Sequence, residues 1–423
     1  MDETVLWLWL SLHFGAGNNI YQKLYDHFGS IEAIFDCDDS DVASIDWLVD
    51  YQKKKLLDKN IDHAKEVLDW CNYYGVNIIT YSDSNFPKIL RDINKCPIVL
   101  YYLGELPNFD MELCISVVGT RKMTMYGQNV SYDIGYGLAK AGAIVVSGMA
   151  LGIDCTAQKG ALYAGGKAIA VLGSGIDVVY PQKNYALYQK IARVGAVITE
   201  FPPHTPPSGA NFPIRNRIIS ALSSATLVVE ADINSGALIT AKYALSQGRK
   251  LFAVPGPIRT TTSSGTNSLI RDGAKAVTSA TDIVEEFLDK YGDKIDISAS
   301  KLRPVIKRNE VKFASAVQAG KEFYKDYNDP QNTDGKANFV SENQKKDYKS
   351  QKIENNDNKS TIDISTLSEH ERKVYEFMEF NKLYSTDDID VPDMSIADIM
   401  SAMTMLEMAG AISEIPGGFF VKK

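Results

Sequence analysis

Six short apolar runs, Ile115–Val118, Ala143–Val146, Ala168–Leu172, Ala196–Thr199, Thr226–Val229 and Lys250–Val254, predict an α/β fold built on a doubly wound, mostly parallel sheet. Each run is short and rich in β-branched residues, each is followed by Gly, Ser or Pro, and helical stretches separate them. That is the pattern of buried parallel strands joined by helical crossovers. A Rossmann-like sheet of this kind takes its ligands outside the carboxyl ends of the strands, so function is sought in the loops that follow them. The reading places this domain at residues 75–298.

Residues 1–70 read as a small helical domain. Leu6, Leu10 and Leu12 alternate with Trp7 and Trp9, Phe14-Gly15-Ala16-Gly17 breaks the pattern, and Ile20–Phe28 resumes it. Ser30 is an N-cap before Ile31, which predicts a helix–turn–helix pair. Nine Lys and Arg stand against 16 Asp and Glu over residues 1–100, so packing or a protein contact is favoured over DNA for this part. Asp2 and Glu3 replace the basic start of a signal peptide, and no run is long enough to span a bilayer. The five cysteines are scattered and lack metal-ligand spacing, so they are expected to be buried free thiols in a reducing cytoplasm.

Past residue 298 the apolar periodicity fails, and residues 299–365, rich in Lys, Asn, Asp, Gln and Ser, are expected to be a flexible linker. Order returns at Leu367. Val374, Phe377 and Met378 make one helical face, and Ile396, Ile399, Met403 and Leu406 make another. Gly410-Ala411-Ile412 followed by Pro416–Val421 reads as a hairpin, so residues 366–423 are expected to form a winged helix. Its candidate recognition helix, 395–408, has no Lys or Arg, and the unit carries 5 basic against 11 acidic residues. It is therefore not expected to read DNA.

A chain of 423 residues with a net charge of −8 has room for two or three cores and cannot coat a polyanion by bulk charge, so an anionic ligand needs a local basic groove. The strand-end loops offer one. The first strand ends in Gly119-Thr120-Arg121, where a glycine turn and a helix start favour an anion and Arg121 adds a forked cation; taken alone, a tight turn with a surface arginine reads as well. Ser147-Gly148-Met149-Ala150 follows the second strand. Gly173-Ser174-Gly175 with Tyr180-Pro181-Gln182-Lys183 follows the third. Convergence of three such turns on one sheet edge favours an anionic ligand over unrelated turns. Next come Phe212-Pro213-Ile214-Arg215-Asn216-Arg217, in which Arg217 is either a ligand contact or a buried arginine paired with Glu230. Ser235-Gly236, with Lys242 on the helix that it starts, completes the set.

The ordered set GTR, SGMALGID, AVLGSGIDVVYP, FPIRNRIIS, VVEADINSGALITA, GRKLFAVPG and GTNSLIRDGA resembles the DNA-processing protein A family, also called DprA or Smf, over about residues 75–280. The amino-terminal and carboxy-terminal parts resemble, more loosely, that family's sterile-alpha-motif-like and winged-helix domains. The resemblance implies a cytoplasmic homodimer that binds and protects single-stranded DNA and helps load the RecA recombinase in natural transformation. It implies DNA contacts at Arg121, Lys183, Arg215, Asn216 and Arg217, with Gly119, Ser147, Gly148, Ser235, Gly236 and Lys242 beside them. One departure is that Gln158, not the family's frequent histidine, follows Ala157.

The alternative is an enzyme acting on nucleotides, since phosphoribohydrolases use a similar sheet. Their loop carries a catalytic glutamate, whereas the corresponding place here, Ser235–Ala241, has no carboxylate, and Glu230 and Asp232 lack a paired base. No GxGxxG follows the first strand, His204 reads as a loop residue, and no metal or other cofactor is expected.

Overall fold

A computed structural model describes residues 2–303, 367–378 and a set of short stretches between 383 and 422. They fall into two compact units, residues 2–303 and the described residues from 367 on. Of the expected linker 299–365, residues 304–365 lie outside them, whereas 299–303 are described and begin within a short helix, Ile297–Ser300; most of the candidate recognition helix also lies outside.

The first unit holds a nine-stranded sheet in the order β1-β2-β6-β5-β4-β3-β7-β8-β9. Its strands are β1 (Asn77–Thr80), β2 (Val99–Gly104), β3 (Cys114–Val118), β4 (Ile144–Ser147), β5 (Ala168–Val171), β6 (Ala196–Thr199), β7 (Ala225–Val228), β8 (Lys250–Ala253) and β9 (Lys275–Ala276). The strands from β3 to β9 are parallel, and β1 and β2 add an antiparallel edge beside β6. All six expected strands form within a residue or so of the predicted runs. Side chains alternate between two cores: Ile115 and Val117 face one, Cys114 and Val118 the other. Burial on both faces explains why these strands read as continuous apolar runs.

The chain winds outward from β3 to β6, then returns to β7 on the other side of β3. That reversal opens the crevice at the carboxyl ends in which such folds hold ligands.

The helical part begins with Glu3–Phe14, in which every residue from Val5 to Ser11 is buried. The alternation of Leu and Trp is thus a helix apolar all round, enclosed by its neighbours. Ser30 accepts from the amide of Ala33 at 3.1 Å, as an N-cap should. This part shares one core with the sheet: Trp7, Trp9 and Leu24 belong to the cluster that contains Val99, Tyr101, Ala170 and Leu187. All five cysteines are buried and free. Burial raises every thiol, those of Cys71 and Cys96 to about 12.

Arg217 is 1% exposed, which removes it from the expected DNA contacts. Its partner is also not the expected Glu230. Nη2 donates to both carboxylate oxygens of Glu200, just past β6, at 2.7 Å each. The amide of Gly17, in the turn between the first two helices, donates to the same carboxylate at 3.3 Å. That turn holds φ +73° at Gly17, and a Cβ there would come within 2.5 Å of Ile214. The helical part thus seats directly on the Asn211–Ala221 helix.

The second unit contains the helix Glu369–Phe377, with a Ser368 capping box, and a three-stranded antiparallel sheet in the order β10-β12-β11. Its strands are β10 (Leu383–Tyr384), β11 (Ile412–Ile415) and β12 (Phe419–Lys422).

A buried charge that loses its partner costs far more than the pair contributes. Arg217→Ala is expected to destabilise the first unit by about 3–5 kcal/mol, measured as a fall in the urea midpoint. The double substitution Arg217→Met with Glu200→Leu should recover most of that loss; no recovery would mean that the pair itself, rather than relief of a stranded charge, carries the stability.

Candidate functional site

The loops after β3, β4 and β5 meet the Asn211–Ala221 helix around a cleft lined by Arg121, Gly148, Leu151, Tyr180, Phe212 and Arg215. Arg121 is exposed, and its guanidinium lies 5.0 Å from the centre of the Phe212 ring. Tyr180 adds a second ring, 41% exposed and 5.6 Å from Phe212 with 34° between the planes. A cation over an aromatic face, with a second ring beside it, can hold an anion and stack a flat heterocycle at once. Lys183 is exposed in the turn Gln182–Asn184, two residues past the cleft wall at Pro181.

Arg215 lines the cleft while being only 4% exposed. Its Nη1 donates to the carbonyls of Val171 and Gly148, and Nε donates to Asn216 Oδ1 at 3.1 Å. Burial pushes its pKa down to about 10, opposed by the charge of Asp154, so it remains a cation at neutral pH. The expectation of a phosphate ligand changes accordingly: Arg215 braces β4, β5 and its own helix. Asn216 is half-buried as the acceptor of that brace.

Ser147 and Gly148 do not provide the expected donors. The Ser147 hydroxyl is wholly buried and donates to the Val117 carbonyl at 2.6 Å. The Gly148 amide donates to Asp154 Oδ2 at 3.1 Å. Burial raises the Asp154 carboxyl, against the pull of Arg215. Gly119 is half-buried at the end of β3. Ser235, Gly236 and Lys242 follow β7 and do not line the cleft; Ser235 Oγ accepts from the amide of Ala237 at 3.3 Å. Gln158 is buried and donates to the Ile169 carbonyl at 2.9 Å, a core position.

The crevice between β3 and β7, where a nucleotide phosphate would sit on such a sheet, is filled from within. Glu230 accepts from the amide and hydroxyl of Thr124, at 2.9 and 2.5 Å, and so holds in place the residue that caps the helix Met125–Lys140. A Cβ at Gly127 would come within 2.1 Å of that carboxylate, so the glycine there admits Glu230 rather than a ligand. A helix start already holding a buried carboxylate repels a phosphate.

Reading the sequence alone does not nominate Phe212, Tyr180 or Asn184. Asn184 is buried and donates to the carbonyl of Met149 at 2.8 Å, holding a residue with φ +55° at the end of β4. The only signal for the two rings is that each directly precedes a proline, Tyr180 in the loop after β5 and Phe212 in the first turn of the Asn211–Ala221 helix. His204, expected as a plain loop residue, has φ +65°. Its amide donates to Asp177 Oδ1 at 2.8 Å and its ring Nδ1 lies 2.6 Å from Oδ2.

Residues 77–288 match the family described as DNA recombination-mediator protein A. A Synechocystis relative, Protein Smf, is 35% identical over 282 residues, covering 66% of this chain and 71% of the relative. The DNA processing protein DprA of Bacillus subtilis is 39% identical over 216 residues, covering 51% and 73%. Among solved structures, DNA processing protein A from Streptococcus pneumoniae superposes with a TM-score of 0.58 at 32% identity, covering 64% of this chain and 94% of that one.

The His204–Asp177 pair makes a prediction with a definite sign. The hydrogen bond and charge of Asp177 raise the His204 pKa in the folded chain, against partial burial. A raised histidine stabilises fully below its unfolded value of about 6.5 and loses that contribution as pH rises through the folded value. The stability difference between the unsubstituted chain and His204→Gly should therefore shrink as pH is raised from 6 into the alkaline range. Urea unfolding at a series of pH values checks this, and a difference that grows with pH would contradict it.

Proposed function

The chain belongs to the DNA recombination-mediator protein A family, and from that premise we propose that it binds single-stranded DNA in the cleft at the ends of β4 and β5. The observation that carries this reading is the exposed Arg121 guanidinium over Phe212 beside Tyr180. It pairs a phosphate-seeking cation with flat faces that accept any base, and such a site has no duplex shape or base code to read. Lys183 extends the positive edge. The remaining parts of the proposal follow the resemblance: a cytoplasmic homodimer that protects incoming strands and helps load RecA in natural transformation.

We read the site as one for binding rather than catalysis. Glu230, the acid at the place where a nucleotide would be attacked, is buried and committed to Thr124. Among the described residues no group of His, Cys, Asp and Glu could hold a metal, and no helix is long and apolar enough to cross a membrane.

We read residues 1–70 as a sterile-alpha-motif-like domain, residues 299–365 as a linker and residues 366–423 as a winged helix that contacts protein rather than DNA. Lys422, one of the unit's few cations, donates to the carbonyls of Tyr375 and Met378 at 2.7 and 3.1 Å, which supports the last point.

In fluorescence anisotropy the full chain is expected to prefer single strands over blunt duplex, with affinity falling as salt rises. Arg121→Ala should weaken binding by about 1.5–3 kcal/mol and flatten the salt dependence by about one ion, with an unchanged melting point. Equal affinity for duplex, or normal binding by folded Arg121→Ala, would show the cleft to be misassigned.

A further inference from the structure

Besides the loops after β3 and β4, the cleft is walled by two separate segments, the loop from Gly173 to Asn184 on one side and the Asn211–Ala221 helix on the other. Both are tied to the helical part of the chain, at points away from the cleft lining. On the helix side, Arg215 and Phe212 line the cleft. Ile214 lies under Gly17, and Arg217 meets Glu200, which also accepts from the Gly17 amide. Less than two turns of helix thus carry both the cleft wall and the seat of the helical part.

On the loop side, Asp177 has both carboxylate oxygens engaged by His204, one by its amide and one by its ring. The amide of Gly175 donates to the Thr205 carbonyl at 2.8 Å, joining the same two segments. Against the His204 ring, edge to face at 5.1 Å, stands Trp70 of the helix Asp62–Tyr74. His204, on the segment that runs into the Asn211–Ala221 helix, thereby touches both the helical part and the loop that carries Tyr180.

A non-glycine residue at φ +65° is held there only when its surroundings over-determine it. Here one residue's amide and ring close on one carboxylate, so the unfavourable backbone is coupled to a contact between three segments.

We propose that the helical part acts as a clamp that fixes the separation of the cleft walls through these two latches, with Gly17, Glu200 and Arg217 in one and Trp70, Asp177 and His204 in the other. These are positioning residues and touch no nucleotide. The proposal rests on the reading of the cleft as the DNA site. Its physical content is pre-organisation: a strand meeting walls already at the right spacing does not have to order them.

The test uses the full chain and a fluorescein-labelled oligothymidylate, with Kd measured over a range of salt at a temperature where circular dichroism shows every variant folded. His204→Gly removes the ring while keeping the backbone donor and suiting the positive φ. Glu200→Gln tests the buried latch and carries the greater risk to folding, so His204→Gly keeps the proposal open to failure. Both are expected to weaken binding roughly 3- to 10-fold with the salt slope unchanged, because no phosphate contact is lost. Arg121→Ala, measured alongside, should weaken binding and lower the slope by about one.

Folded latch variants that bind as tightly as the unsubstituted chain overturn the clamp. So does a lower salt slope in His204→Gly, which would make His204 a direct phosphate contact. If Arg121→Ala also binds normally, the DNA cleft itself is misassigned and the clamp falls with it; if Arg121→Ala is impaired and the latch variants are not, only the clamp fails.

Discussion

The buried pair of Arg217 and Glu200 is the constraint around which the first unit is arranged. It joins the end of β6 to the next helix and, through Gly17, to the helical part of the chain. Among the described residues Arg217 Nε and Nη1 have no hydrogen-bond partner, so the pair is far from an optimal source of stability. A buried ion pair of that kind specifies geometry more than it adds free energy. Here the specified geometry is the placement of a helix whose opposite face supplies Phe212 and Arg215 to the cleft.

A second pattern sets this sheet apart from one built to hold a nucleotide. At the two strand-to-helix junctions where a phosphate would be drawn to amide groups, the chain supplies its own carboxylates, Glu230 at the Met125–Lys140 helix and Asp154 at the Gly148 turn. The attraction for anions is transferred from main-chain amides to side chains, Arg121 above all, standing over aromatic faces. Amide cradles grip a compact phosphate group, whereas a cation over a ring suits a linear polymer whose charge and flat bases alternate.

Much of this was legible in the sequence. The six inner strands declare themselves because burial on both faces keeps them almost wholly apolar, and the two mid-strand hydroxyls, Ser116 and Thr226, bond to each other. β1 and β2 do not, since they form an antiparallel edge with mixed burial, and Tyr101 and Tyr102 hide the alternation. Arg121 is legible because a glycine turn after a strand leaves its neighbour exposed. The fates of Ser147, Gly148 and Arg217 are not. The loops they occupy look alike in one dimension, and only the fold decides whether a donor meets solvent or a carbonyl two strands away. The partner of Arg217 illustrates the limit: Glu200 and Glu230 both stand just past strand ends, and the choice between them depends on which strand the next helix crosses.

The burial of all five cysteines has a practical consequence. Thiolate is the reactive form, and every native thiol here is held protonated and out of reach of reagents by its surroundings. A cysteine introduced on the exposed rim, at Lys122 for instance, can therefore be alkylated selectively in the otherwise native chain. That allows spin labels or fluorophore pairs to be attached beside the cleft without first stripping the core of its sulfur.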